Sequence, residues 1–125
     1  MRLIYDTGGL ISLERGDRSS WVRLKAALGR REIPLSNAAV LGQAWRGGTR
    51  QALLARALAG MEVMALDEEL GRRAGTLLGL SATSDVVDAA LVLGAADGDQ
   101  IVTSDAADLA PLARACRLHI ELVAP

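Results

Sequence analysis

RLIYDTGGL (Arg2–Leu10) decides how this chain is read: an apolar run, an aspartate at once after it, then Thr-Gly-Gly. A short apolar run closed by turn residues is the pattern of a buried strand. QIVTSDAADL (Gln100–Leu109) repeats it, with Asp105 standing after QIVTS as Asp6 stands after RLIY. Working outward, Ile33–Leu35, Glu62–Leu66 and Leu118–Val123 read as three further strands, making five with Arg2–Tyr5 and Gln100–Thr103.

Helical patterns fill the gaps. Leu10–Glu14 and Ser19–Leu28 occupy the first. Ser36 or Asn37 then caps a helix with Val40, Leu41, Ala44 and Trp45 on one face, which places Trp45 in the core, and Gly47-Gly48 breaks it. Leu53, Leu54, Ala57 and Leu58 resume the 3.6-residue period, Leu70, Ala74, Leu77 and Leu78 repeat it, Asp85–Ala96 is the most apolar helix, and a last one follows Asp105. Strands separated by helices predict an α/β chain with a central parallel sheet of about five strands, right-handed crossovers, and chemistry at the carboxyl ends of the strands.

A length of 125 residues, half of them hydrophobic and 23% charged, predicts one domain spanning 1–125 with an ordinary core. With one cysteine, Cys116, and one histidine, His119, no internal disulfide and no zinc spacing is available, so a reducing, cytoplasmic setting is expected. No apolar run reaches the ~18 to 20 residues of a membrane span, and Asp6 interrupts any secretory apolar region. The net charge of −1 hides a polarity: Met1–Arg56 holds ten basic and four acidic residues (+6), Ala57–Pro125 four basic and eleven acidic (−7). A basic half suits a phosphate backbone and an acidic half suits a metal, although two solvated faces of opposite bias explain the same counts.

The aspartates carry the chemistry. Asp6 and Asp105 each fit two roles, as the N-cap of the helix that follows or as a ligand at the sheet edge. Asp88 lies within VVDAALVL among residues that favour burial, where an ionised carboxylate needs a cation or donors. Asp85, one turn earlier, is a cap or an outer ligand. Convergent carboxylates ~4 Å apart repel by about 4 kcal/mol per pair at an effective dielectric of 20. A divalent cation relieves this, and carboxylates without histidine or thiolate suit Mg²⁺ or Mn²⁺. Such an ion activates water and stabilises charge on a scissile phosphate, which points to phosphodiester hydrolysis.

LIYDTGGLISLER, VLGQAWRGG, TSDVVDAALV and IVTSDAADL, in that order and spacing, resemble the PIN domains, and within them the VapC-like toxins of bacterial toxin–antitoxin pairs. The resemblance spans essentially the whole chain. It implies a three-layer PIN-like fold and an endoribonuclease that uses Mg²⁺ or Mn²⁺ to leave a 5′-phosphate and a 3′-hydroxyl. It also implies a cognate VapB-like antitoxin and a homodimer. The family's first, third and fourth acids fall on Asp6, Asp88 and Asp105, with Asp85 and Asp108 as possible extra acids. The second, usually a glutamate, falls on Gln43. An amide oxygen ligates a metal but lacks the charge and cannot act as a general base. The departure leaves three outcomes open: weaker metal binding, sufficiency of the three aspartates, or a domain that binds RNA without cutting it.

Several residues carry double readings. Arg46 is a phosphate contact or a surface ion-pair partner. Thr7 and Ser104 orient a carboxylate or cap a helix. His119 reads as a surface residue and Cys116 as a small buried one. With two Trp, one Tyr and no Phe, the chain lacks the stacking array of sequence-reading single-strand binders, so recognition through RNA shape and backbone is expected. A phospho-acceptor receiver domain would share the sheet but needs a lysine after its last strand, and the only lysine is Lys25.

Overall fold

The computed structural model describes residues 1–125. Five parallel strands, β1 (Leu3–Tyr5), β2 (Leu35–Asn37), β3 (Glu62–Met64), β4 (Gln100–Val102) and β5 (Glu121–Val123), form one sheet in the order β3-β2-β1-β4-β5. Seven helices flank it: α1 (Thr7–Glu14), α2 (Arg18–Gly29), α3 (Ala38–Ala44), α4 (Ala52–Ala59), α5 (Glu68–Ser81), α6 (Val86–Leu93) and α7 (Ala106–Ala115). The chain steps outward from β1 to β3, then returns across the sheet to β4 and β5. Right-handed crossovers therefore place α1–α4 on one face and α5–α7 on the other. The packing agrees, since α1 lies against α2, α3 and α4 while α5, α6 and α7 lie against one another. This is the expected α/β architecture and is consistent with the three-layer PIN-like arrangement. Its order differs from the 2-1-3-4-5 of flavodoxin-like receivers, and it reverses direction between β1 and β4, where open α/β sheets hold their ligands.

Burial follows strand position. Leu3, Ile4, Tyr5, Ile101 and Val102 of the inner strands are fully buried, as are Leu10 and Leu13 of α1, Ala89–Val92 of α6, and Leu109 and Leu112 of α7. The edge strands β3 and β5 stay partly exposed. Leu54 and Ala57 of α4 are core residues. No single helix is long and apolar enough to cross a membrane; α5 and α6 pass such a test only as a pair bent by 106°.

Two expectations need correction. The second strand begins at Leu35, two residues later than its apolar pattern suggests, and Ile33 is exposed. Pro34 has no amide to give the ladder, although its carbonyl accepts from Glu62. Ser36 is consequently a strand residue donating to the Tyr5 carbonyl at 2.9 Å, and Asn37 alone caps α3, accepting from the Val40 amide. Trp45 is not core. The helix ends at Ala44, and Trp45 adopts extended backbone (φ −76°, ψ 133°), which swings its ring away from the buried face and leaves it 42% exposed. The turn that follows is held by buried Gln51, whose Oε1 accepts from the Arg46 and Gly47 amides and whose Nε2 donates to Glu14 Oε1 and the Ala44 carbonyl.

The glycine pair after Asp6 lets α1 touch β4. A Cβ on Gly9 would lie 2.8 Å from the Val102 carbonyl oxygen, and one on Gly8 would lie 2.2 Å from Ser104 Oγ and 2.9 Å from its Cβ. Gly→Ala inside a helix ordinarily gains up to ~1 kcal/mol. Gly9→Ala is expected instead to destabilise by about 2 kcal/mol, because the obstacle is backbone in a packed core. Urea unfolding measures it, and a variant as stable as the parent would show that the approach relaxes freely.

Candidate metal and catalytic site

The register Leu3 beside Gln100, Ile4 beside Ile101 and Tyr5 beside Val102 brings the carboxyl ends of both strands to one edge of the sheet. Asp6 leaves β1 there and is 5% exposed. Its Oδ1 accepts from the Thr7 amide at 2.7 Å, capping α1, and its Oδ2 accepts from Thr103 Oγ1 at 2.8 Å. The cap and edge-ligand roles are thus compatible, because each oxygen keeps a free lone pair. Thr103, itself buried, also accepts from the Asp105 amide at 2.9 Å through the same Oγ1. One hydroxyl therefore ties the two strand-end aspartates together. Asp105 begins α7, makes no side-chain cap, and is exposed.

α6 supplies the third acid. Asp85 is its N-cap, with Oδ1 accepting from the Val87 and Asp88 amides at 2.9 and 3.1 Å. Asp88 sits in the first helical turn, half-buried. Burial, followed by repulsion from Asp85, Asp6, Asp108 and Asp105, pushes its carboxyl up from 3.8 to about 7. Five aspartates thus share one electrostatic neighbourhood. None has a basic partner: the ion pairs of the molecule are Arg2–Asp99, Arg30–Glu32 and Arg72–Glu68.

Two clefts open on this edge. One, of about 690 Å³, is bordered by Thr7, Gly8, Ser104 and Asp105; the other, of about 290 Å³, by Thr83, Ser84, Asp85, Asp88 and Asp108. The donors are all oxygens, they carry excess negative charge, and no cationic side chain neutralises them, so their chemistry fits a hard divalent ion. No three of the carboxylates stand close enough together to grip one ion jointly. Mg²⁺ keeps several of its waters and is commonly held through one or two carboxylates, which suits this spacing.

The remaining expected positions are placed as follows. Gln43 is exposed on α3, and its Oε1 accepts from Thr7 Oγ1, joining α3 to α1 beside Asp6. Thr7 is therefore occupied by Gln43 rather than by a carboxylate. Ser104 faces Gly8. Arg46 folds back on the end of α3, donating to the Gly42 and Trp45 carbonyls at 3.2 and 2.8 Å, and makes neither the expected ion pair nor a contact with the acids. His119 is exposed and Cys116 partly buried, with burial raising its thiol pKa. Thr103 thus acts as a bridge between the two strand ends. Gly8 and Gly9, two poor helix formers in a first helical turn, are themselves a sign of close approach.

Scans against protein-family models, curated proteins and solved structures find no match to this chain.

Asp88 makes stability depend on pH. Its folded pKa lies above the unfolded value, so the folded chain holds the extra proton and loses stability as pH rises from about 4 through about 7. Asp88→Asn in EDTA is expected to flatten that slope and to melt higher than the parent at pH 8. Thermal melts from pH 5 to 8 measure this, and equal slopes would remove Asp88 from the charged cluster.

Proposed function

We propose that this chain is a Mg²⁺- or Mn²⁺-dependent endoribonuclease of the VapC-like PIN type, neutralised by a small cognate antitoxin. The observation that carries the reading is the set of five aspartates near the β1/β4 switch point, none of them ion-paired with a basic side chain. Asp6, Asp88 and Asp105 would surround the ion, one or two of them binding it directly and the rest through its waters, with Asp85 and Asp108 at its margin. The ion, when bound, lowers the pKa of water and offsets charge on the scissile phosphate. The chain's own contribution is orientation. The Thr7 amide and Thr103 Oγ1 fix both oxygens of Asp6, the Asp105 amide is anchored on the same hydroxyl, and Asp88 would have to be ionised to serve as a ligand. Exposed Asp105 borders the larger cleft, where a phosphodiester would lie. A cytoplasmic setting, a VapB-like partner and a homodimer belong to this proposal and rest on the resemblance.

Purified chain should cleave mixed structured RNAs with Mg²⁺ or Mn²⁺, and not in EDTA. Asp6→Asn and Asp105→Asn should each lower the rate roughly 100-fold or more, as loss of a metal-binding carboxylate removes several kcal/mol of charge stabilisation. Cleavage that persists in both variants or in EDTA would overturn the metal mechanism.

A second reading is favoured by one contact. The Gln43 carbonyl oxygen is engaged by Thr7, so the position usually held by the family's second acid serves as a tether between helices. On this reading the domain binds RNA or protein without cutting. Gln43→Glu should tighten Mg²⁺ binding if the position faces the ion; calorimetry that gives an unchanged affinity would confine Gln43 to its tether.

A further inference from the structure

The larger cleft does not end at the acids. From Thr7 it follows one face of α1 past Ile11 to Arg15, three residues four apart in sequence. That face is about 12 Å long at 1.5 Å per residue, room for about three nucleotides at the stacked rise of ~3.4 Å. Beyond Arg15 the chain turns at Gly16, and another cleft, of about 410 Å³, opens beside that corner. It is bordered by Arg18 and Lys25 of α2 and by Arg56 of α4, with Trp21 and Leu53 as its apolar walls.

The corner is built. Gly16 has a left-handed backbone (φ +74°), and a Cβ there would come within 3.2 Å of Leu53 Cδ1, so the α1–α2 turn lies directly on α4. Trp21 is held by a 2.9 Å hydrogen bond from its Nε1 to the Leu13 carbonyl. Arg15, Arg18, Lys25 and Arg56 are all exposed and none takes part in an ion pair. The one acid between them, Asp17, is engaged in capping α2: its Oδ2 accepts from Ser19 Oγ and from the amide and hydroxyl of Ser20.

We propose that this corner is a phosphate-backbone track, on which an RNA strand leaving the acidic edge is held first by Arg15 and then by Arg18, Lys25 and Arg56. The inference rests on the ribonuclease reading for the identity of the strand. Four unpaired cations beside two clefts suit a polyanion, whereas a protein partner would call for an apolar centre with few charges. The track also gives the basic bias of residues 1–56 a location: a phosphate held at the acidic edge is repelled by carboxylates on one side and drawn along α1 on the other.

The test is fluorescence anisotropy of labelled oligouridine with the full chain in EDTA, which separates binding from cleavage, over a series of salt concentrations. The triple variant Arg18→Gln, Lys25→Gln, Arg56→Gln should bind about tenfold more weakly at low salt, and its log–log salt slope should fall by about 2, at ~0.7 per phosphate contact on a single strand. Arg15→Gln should lose about 0.7 of slope. Arg72→Gln with Arg73→Gln, on the opposite helical layer, should match the parent. Unchanged affinity and slope in the triple variant would overturn the track, as would an equal loss in the α5 control. Preference for polyglutamate over oligouridine would also overturn it, by assigning the corner to an acidic protein. Loss of RNA binding in the corner variants of a chain that cuts no RNA would leave the track standing and remove the nuclease. Undiminished binding and cleavage by those variants would do the reverse.

Discussion

The parallel pairing of β1 with β4 is the constraint on which the acidic edge depends. Two strands of three residues, distant in sequence, lie side by side in a fixed register, and each is followed by an aspartate. The pairing alone would leave Asp6 and Asp105 as neighbours with independent side chains. The buried Thr103 hydroxyl converts proximity into geometry by donating to one aspartate and accepting from the backbone of the other. A hydroxyl suits this place because it donates and accepts at once. The glycines at positions 8 and 9 complete the arrangement by letting the first turn of α1 lie against the end of β4.

Electrostatics divide the molecule in space much as they divide it in sequence. The half-buried Asp88 brings α6 into the neighbourhood of the strand-end acids, and its raised pKa reflects first its burial and then the repulsion of the acids gathered around it. Around the corner of α1 and α2 the situation is inverted, with exposed cations that no carboxylate neutralises. A fold stabilised elsewhere by a continuous apolar core tolerates both departures from local neutrality. Stability and binding chemistry are thus assigned to different residues of the same elements. On α1, Leu10 and Leu13 pack inward while Thr7, Ile11 and Arg15 border a cleft.

The sheet was legible because its strands are short apolar runs bounded by turn residues, and RLIY followed by Asp and Gly is such a run. Asp6, Asp85 and Asp105 could be placed at helix starts for the same reason. Side-chain partnerships were less legible. Whether Asp88 is paired depends on Asp85, Asp6, Asp108 and Asp105, four residues from three parts of the chain, and only their assembly gives the answer. Pro34 moved the second strand because its missing amide competes with the apolar pattern. Trp45 escaped the core because the helix stopped one residue before it, a boundary that periodicity alone does not fix. The arginine corner was hidden because it joins α2 to α4 across a turn, and residue counts register charge without saying which cations face one another.

The contact between Thr103 and Asp6 spans 97 residues of chain, and the strand pairing beneath it spans as many. Contacts of such long range form late, since the loop between them must close before they contribute. During synthesis β1 is made well before β4 and has no neighbour on that side until Gln100–Val102 follows it. Until β4 has joined the sheet, the acidic edge does not exist. Whatever chemistry the edge supports is withheld from a chain in which β1 and β4 have not yet paired.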